Sequence, residues 1–172
     1  MPKIYDNIIN HLTKGLNETL ELSHRTDFCV GYFNLRGWKE VAEKIDSLSG
    51  SAINEGNSEI HRTCRLLVGM QKLPIDILKE HLSNGDYHAI DQAEAVKLKK
   101  RLAQDFKEQL TIGNPTEADE KSLRKLSQQM KDNKVCVKLH LRYTLHAKLY
   151  LAYSQDKRVP VVGFLGSSNL TL

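Results

Sequence analysis

Hydrophobic and polar residues alternate along the chain with two different periods, and these periods predict its helices and strands. Apolar residues recur every three to four positions over 4–24 and again over 35–48, which is typical of amphipathic helices. The segments TDFCVGYF at 26–33 and CRLLVGM at 64–70 are rich in apolar, β-branched and aromatic residues and predict buried strands. Between them, the Ser-, Gly- and Asn-rich stretch SLSGSAINEGNS predicts a surface loop.

The middle of the chain is predicted to be helical, and its end to be all strand. The helices are expected over 75–82, over 87–110 and from a cap at Thr116 onward. The final strands are expected over 135–141, 145–153 and 159–165. This order of elements predicts an α/β fold, with helices packed on a mixed β-sheet, and 172 residues suffice for one such domain.

Composition narrows the class of protein. A hydrophobic content of 40% and a charged content of 27% are those of a soluble globular protein. The sequence contains no apolar run of roughly 18 residues that could span a bilayer, and MPKIYDNIIN does not resemble a secretory signal. We therefore expect a cytoplasmic protein. The three cysteines are widely spaced with no CxxC pair, so buried thiols are favoured over a zinc site or a catalytic cysteine.

Charge is distributed unevenly along the chain. From Lys121 onward ten basic residues stand against two acidic ones, so this segment carries +8 and the first 120 residues carry −4. A basic segment of this kind suits a polyanion such as nucleic acid, and a solvated basic face is the alternative interpretation.

Candidate chemistry lies in the stretch LHAKLYLAYSQDKRVPVVGFLGSSNLT near the C-terminus. Side chains two apart share a face of a strand, so His146, Lys148 and Tyr150 are predicted to point the same way. The side chains expected to face the core on the opposite side are Ala147, Leu149 and Leu151. Two adjoining cationic groups are a poor choice for stability alone, and they indicate that an anion binds between them.

A loop is predicted to arrive beside this pair. The polar run 154–158 predicts a hairpin turn, and the register of that turn would place His146 opposite Gly166, whose missing side chain permits a close backbone approach. The residues that complete the loop are Ser167, Ser168 and Asn169. An imidazole, an ammonium, a hydroxyl and an amide can surround a phosphoryl group through positioning and charge neutralisation, and such a site needs no metal or other cofactor.

These residues resemble the signature of the phospholipase D superfamily, His-x-Lys-x4-Asp followed by Gly-Ser-x-Asn. The matching positions are His146, Lys148, Gly166, Ser167 and Asn169. The departure is Tyr153, which stands where the signature has its aspartate. In the family that aspartate is regarded as a supporting residue and not as the attacking group.

Two further blocks, DFCVGYFNLRGW and CRLLVGM, extend the resemblance to one branch of the superfamily. This branch is the phospholipase D-like domain at the N-terminus of some bacterial DEAD/DEAH or SNF2-type helicases. The resemblance implies that residues 1–172 form a single domain of this kind. Related domains usually continue with further sheet and helix, which is compatible with a piece of a longer helicase-type protein.

The resemblance also implies a mechanism and a partner. In the superfamily one motif histidine attacks phosphorus and forms a phosphohistidine, and a histidine from a second motif protonates the leaving oxygen. Only one motif is present here, because His140 has no lysine two residues later and is interpreted as a structural or rim residue. A homodimer would supply the second histidine.

Three functions remain open from the sequence. The first is a metal-independent DNA nuclease, with His146, Lys148, Ser167 and Asn169 as catalytic residues. Gly166 and Ser168 would complete its phosphate-binding loop, and Tyr150 is a candidate substrate contact, although a half-buried strand aromatic is the plainer interpretation. The second is a nucleic-acid-binding or dimerisation module that has lost turnover, which Tyr153 favours. The third, a lipid phosphodiesterase, is disfavoured because the sequence shows no secretory signal and no apolar membrane-facing stretch.

Overall fold

A computed structural model of the chain describes residues 3–6, 8–69, 92–111, 116–141, 143–155, 160–167 and 169. The helices are α1 (Leu12–Glu21), α2 (Leu35–Ser47), α3 (Gln92–Leu110) and α4 (Glu117–Lys131). The strands are β1 (Arg25–Val30), β2 (Ser51–Glu55), β3 (Ser58–Arg62), β4 (Cys64–Gly69), β5 (Val135–His140), β6 (Lys148–Tyr153) and β7 (Val162–Leu165). The helix expected over 75–82 and the start of the one expected over 87–110 lie outside the described residues.

Five strands form one mixed sheet in the order β5-β4-β1-β6-β7, which confirms the predicted α/β class. β1, β4 and β5 run parallel, whereas β6 is antiparallel to both β1 and β7. The carboxyl ends of β1, β4, β5 and β7 therefore meet the start of β6 at the same side of the sheet, referred to below as the carboxyl edge. The opposite side is referred to as the amino end.

Helices α1, α2 and α4 pack on one face of this sheet and enclose the main core. The sheet residues buried on that face include Phe28, Val30, Leu66, Val68 and Tyr150. Trp38 of α2 is fully buried, and its indole nitrogen donates to the side-chain oxygen of Gln129 in α4 at 3.2 Å. This bond satisfies two polar groups inside the core and links the two helices.

Side-chain caps define where two helices begin. The side chain of Asn34 accepts a hydrogen bond from the amide of Gly37 at the start of α2. The predicted cap at Thr116 is confirmed, because Thr116 and Asp119 form a reciprocal capping box at the start of α4. Each cap satisfies amides that have no partner within the helix.

The predicted N-terminal helix over 4–24 is wrong at its start, because α1 begins only at Leu12. The carboxylate of Asp6 accepts hydrogen bonds from the amides of residues 8–10 at 2.9–3.0 Å. This local turn gives those amides a partner outside a helix, which is the way aspartate commonly competes with helix formation.

The predicted surface loop SLSGSAINEGNS is also wrong, because it contains the hairpin of β2 and β3. The two strands are joined at Gly56 and Asn57, and Gly56 has a φ of 67°. Two-residue hairpin turns require such positive φ values, which glycine adopts without strain. Apolar residues are sparse on both strands, so the period-2 pattern was weak and the turn residues resembled a loop.

Part of the uneven charge along the sequence is balanced in space. Asp46 of α2 accepts hydrogen bonds from Lys125 at 2.7 Å and from Lys134 at 2.9 Å, and these bonds lower the pKa of its carboxyl group. The pairs within α4 are Lys121 with Glu117 and Arg124 with Glu120. Four cations of the basic segment are thus compensated by acidic neighbours. None of the described helices is long and apolar enough to cross a membrane.

Candidate functional site

The candidate residues lie at the carboxyl edge of the sheet. Lys148 is the first residue of β6 and His146 precedes it by two positions, while Gly166 and Ser167 directly follow β7. In α/β sheets this edge is where ligands commonly bind, because loops and unpaired strand ends converge there. Ser168 lies outside the described residues.

The register between β6 and β7 differs from the predicted one by two residues. Tyr150 lies opposite Phe164, and the amide of Gly166 donates to the carbonyl of Lys148 at 3.2 Å. The expectation that His146 lies opposite Gly166 is therefore wrong, because the connection between the strands is longer than the assumed five-residue turn. A shift by two residues does not change which side chains of β6 and β7 share a face of the sheet. The loop after β7 therefore still lies beside Lys148.

The prediction of which face of β6 packs on the core is wrong. Tyr150 and Ala152 are 2% and 3% exposed beneath the helices, whereas Leu149 and Leu151 are only half-buried on the opposite face. The ring of Tyr150 contacts Phe28 edge-to-face at 5.1 Å, and burial raises the pKa of its phenol. Lys148 thus shares the helix-covered face with Tyr150, which is a core residue and not a half-buried one.

His146 lies in an exposed segment before β6, and not within a strand as predicted. The adjacent residue, Ala147, accepts a hydrogen bond from the amide of Gly31 at 2.7 Å, so this segment still pairs with the chain after β1. The backbone of His146 is thereby fixed on one side while its side chain is open to solvent.

Two glycines allow the ends of β1 and β4 to approach this segment closely. A Cβ atom at Gly69 would lie 2.6 Å from the carbonyl oxygen of Gly31 and 3.0 Å from the Cβ of Leu145. A Cβ at Gly31 would overlap the carbonyl oxygen of Leu145 and approach the Cα of His146 to 3.3 Å. Both glycines follow a valine at the end of a strand, and glycine in a strand pattern often marks close backbone approach.

The Lys148 side chain turns back over its own backbone. Its ammonium donates a hydrogen bond to the carbonyl oxygen of His146 at 2.9 Å. Among the described residues its hydrogen-bond partner is this neutral carbonyl, and no carboxylate there forms a salt bridge with it. An ammonium has three donors, so further protons are available to an anion at this edge.

Asn169 links the loop after β7 to the end of β1. Its side-chain oxygen accepts a hydrogen bond from the amide of Tyr32 at 3.1 Å. The hydroxyl of Tyr32 donates to the carbonyl of Gln109 at 3.2 Å, and the side chain of Gln109 donates to the carbonyl of Gly69 at 3.3 Å. The oxygen of Asn169 therefore positions the loop, and its amide nitrogen is the group that could donate to a ligand.

Gly166 and Ser167 are exposed and line a cavity of about 420 Å³ beside β7. A Cβ atom at Gly166 would meet no atom of the described residues within 4 Å. The loop that was predicted to contact a phosphate therefore borders open space.

Tyr153, at the position of the motif aspartate, is the last residue of β6; it lies at the amino end of the sheet and on the opposite face from Lys148. Five residues of strand separate the two, which corresponds to roughly 16 Å. The guanidinium of Arg25 lies 3.6 Å from the Tyr153 ring centroid, and burial together with the Asp27 carboxylate raises the pKa of the phenol. An aspartate at this position would face Arg25 and would not reach the candidate site.

His140 is the last residue of β5 and is half-buried, next to Gly69 of β4. Two strands, β4 and β1, separate β5 from β6, which places His140 about 14 Å from the start of β6 at Lys148. In the part of the chain that the structure describes, no three His, Cys, Asp or Glu side chains form a group that could bind a metal ion.

Comparisons with protein-family models and with curated proteins find no match to this chain. The resemblance to the phospholipase D superfamily therefore rests on the motif residues and on the two N-terminal blocks.

Proposed function

We propose that this chain is a phospholipase D-like, metal-independent phosphodiesterase that cleaves DNA as a homodimer through a phosphohistidine intermediate. The observation that supports the proposal is the ammonium of Lys148, which has no carboxylate partner among the described residues and lies beside an exposed histidine and an open glycine-serine loop at the carboxyl edge. A cation without a counterion in such a place indicates an anion-binding site. In this proposal the chain works in the cytoplasm and is joined to a helicase domain in a longer protein.

In the first step, a ring nitrogen of His146 attacks phosphorus and a new nitrogen–phosphorus bond forms. The bond from phosphorus to the leaving sugar oxygen breaks, and that oxygen takes a proton from a second imidazolium. In the second step, the second imidazole takes a proton from water, and the resulting hydroxide attacks phosphorus. The nitrogen–phosphorus bond breaks and His146 is restored.

The other motif residues would stabilise negative charge on the non-bridging oxygens. Lys148 supplies a full positive charge, and Ser167 and the amide nitrogen of Asn169 supply hydrogen-bond donors. Such fixed donors need no reorganisation when charge develops in the transition state.

The second imidazole would come from the partner subunit's His146, because this chain carries a single copy of the motif. A two-fold axis would then pass between the two histidines and build one composite site. The turnover proposed here thus requires a dimer, whereas a single chain could still bind phosphate.

The test is cleavage of linear DNA by the purified protein in the presence of EDTA, compared between wild type, His146→Ala and His140→Ala. We expect chelator-resistant cleavage that His146→Ala lowers by at least about 10³-fold, because the nucleophile is lost. His140→Ala is the matched control, since it removes a histidine from the same edge, and we expect it to retain turnover within about threefold. Sedimentation of each variant reports the dimer.

Cleavage that chelator abolishes, or that survives His146→Ala, would contradict the mechanism. A protein that binds phosphate and DNA but cleaves neither DNA nor model phosphodiesters would instead support the alternative, a nucleic-acid-binding or dimerisation module without turnover.

A further inference from the structure

The cavity beside the motif loop has walls that the phosphate chemistry does not use. Its volume of about 420 Å³ lies within the usual range for small-molecule sites. One wall is formed by Gly166 and Ser167, and the remaining walls include Tyr5, Phe164 and Lys3. A ligand in this cavity would therefore be continuous with a phosphate at the loop.

The aromatic wall is held in place by its neighbours. The rings of Tyr5 and Phe164 lie 5.7 Å apart between centroids at an angle of 55°. Tyr5 packs directly on Gly15 of α1, where any Cβ atom would overlap its ring. Asp6 fixes the adjoining backbone through its three amide contacts. The wall is therefore formed before any ligand binds.

The cavity also carries a cation. The ammonium of Lys3 lies 5.2 Å from the centroid of the Tyr5 ring. Aromatic rings beside a basic side chain are the combination that recurs where proteins bind the bases and backbone of single-stranded nucleic acid. An acyl chain would find a cation and a serine hydroxyl in its path, which disfavours a lipid tail.

We propose that this cavity binds the nucleobase of the nucleotide whose phosphate is bound at the Gly166-Ser167 loop. A base is linked to its own phosphate by a single sugar, so one nucleotide spans from the loop to the aromatic wall. This inference rests on the proposed function and narrows its substrate to a nucleotide with an unstacked base. Such a base is available in single-stranded or frayed DNA and not inside a duplex.

The test compares three probes by calorimetry on the homodimer: inorganic phosphate, glycerol 3-phosphate and thymidine 5′-monophosphate. We expect the nucleotide to bind about tenfold more tightly than the two probes without a base. Tyr5→Leu should remove about 5- to 10-fold of the nucleotide affinity, within the range of base stacking on an aromatic side chain, and leave phosphate affinity unchanged. Tyr143→Leu is the control, because Tyr143 is an exposed aromatic residue near His146 that does not line the cavity.

If Tyr5→Leu proves poorly folded, proton NMR of the wild type replaces it. The Tyr5 ring signals should shift with the nucleotide and not with inorganic phosphate. Equal affinities for all three probes, or unshifted Tyr5 signals at saturation, would overturn the base-binding proposal.

Failure of the proposed function would look different. Phosphate affinity that is insensitive to Lys148→Met would contradict the phosphate site itself. Phosphate binding that depends on Lys148, combined with no preference for the nucleotide, would contradict only the base cavity.

Discussion

The two ends of the central sheet each carry a pair of basic residues, but among the described residues only the amino end provides a carboxylate for them. At the amino end, Arg25 and Arg65 both donate to Asp27, with Arg25 at 2.9–3.0 Å and the Arg65 Nε at 2.8 Å. Burial alone would raise the pKa of Asp27, but its hydrogen bonds to Arg65 and Arg25 hold the pKa below its usual value. Both guanidinium groups at this end of the sheet thus have a carboxylate partner.

At the carboxyl edge, His146 and Lys148 lie two residues apart. Within the described residues, the ammonium of Lys148 donates its hydrogen bond to a carbonyl and not to a carboxylate. A charge cluster that stabilises the fold contains its own counterion, as the cluster at the amino end does. A cluster that lacks one is stabilised by whatever anion it binds. The comparison therefore separates a structural charge cluster from a candidate binding site within the same sheet.

The largest expected effect is on folding, at the amino end. Asp27→Asn leaves Arg25, whose side chain is 11% exposed, without a counterion and should lower the free energy of unfolding by about 3 kcal/mol. Lys148→Met at the other end should change it by less than about 0.5 kcal/mol. Urea denaturation at neutral pH measures both variants. Equal losses at the two ends would refute the distinction.

The same variant has a defined pH dependence. The folded-state pKa of Asp27 lies below its unfolded value, so the stability from its ionised form is present above the unfolded pKa of about 3.9 and is lost as pH falls through the folded pKa. We expect the stability difference between wild type and Asp27→Asn to narrow as pH falls below about 4. A difference that stays constant to acid pH would show that Asp27 acts through packing and not through charge.

The next effect concerns the backbone that carries His146. In Gly31→Ala the new methyl group would overlap the carbonyl of Leu145, and relieving this contact should cost about 2 kcal/mol. Gly163→Ala is the control, because a Cβ there would lie 3.4 Å from Leu151, an ordinary contact distance. We expect only Gly31→Ala to weaken phosphate binding, because it displaces the segment before His146. If a destabilised Gly31→Ala protein kept its phosphate affinity, Gly31 would matter for folding and not for phosphate binding.

Sequence periodicity predicted most of the sheet but not which of its faces is buried. The strand pattern at 145–153 is apolar on both faces, since Tyr150 and Ala152 alternate with Leu149 and Leu151. Burial of one set depends on which face the helices cover, with residues of α1 lying beside Tyr150 and Ala152, and no local pattern contains that information. The start of β6 was also predicted too early. His146 continues the alternation of side chains along the sequence, although it does not belong to the strand.

The candidate site was predictable only in its outline. The motif residues identified the edge of the sheet, whereas the register between β6 and β7 depended on a connection whose length the turn residues did not define. The supporting contacts came from distant segments. Tyr32 lies 137 residues before Asn169, to which its amide donates. The one local signal for such support was the Val-Gly pair that ends both β1 and β4.

A smaller effect on stability is expected from Asn169→Asp. This substitution replaces an amide by a carboxylate, whereas Asp27→Asn replaces a carboxylate by an amide. Asn169→Asp keeps an oxygen that can accept the amide of Tyr32, so the free energy of unfolding should change by less than about 0.5 kcal/mol. The exchange removes the amide donor and adds a negative charge, and it should lower phosphate affinity about tenfold, or about 1.4 kcal/mol. Asn169→Ala, which removes the acceptor as well, should lose both stability and affinity. Calorimetry with inorganic phosphate and urea denaturation distinguish the two roles.

The smallest effect on the site is expected from restoring the motif aspartate. Tyr153→Asp places a carboxylate opposite Arg25 and close to Asp27. This position lies at the amino end of the sheet, roughly 16 Å from Lys148. It removes the ring that packs under Arg25 and adds repulsion with Asp27, so its cost should appear in the free energy of unfolding. Phosphate affinity and the rate of DNA cleavage should change by less than about twofold, because a charge at that distance is screened by salt. A large gain in turnover would show that position 153 communicates with the carboxyl edge, and the separation of the two ends would then be wrong.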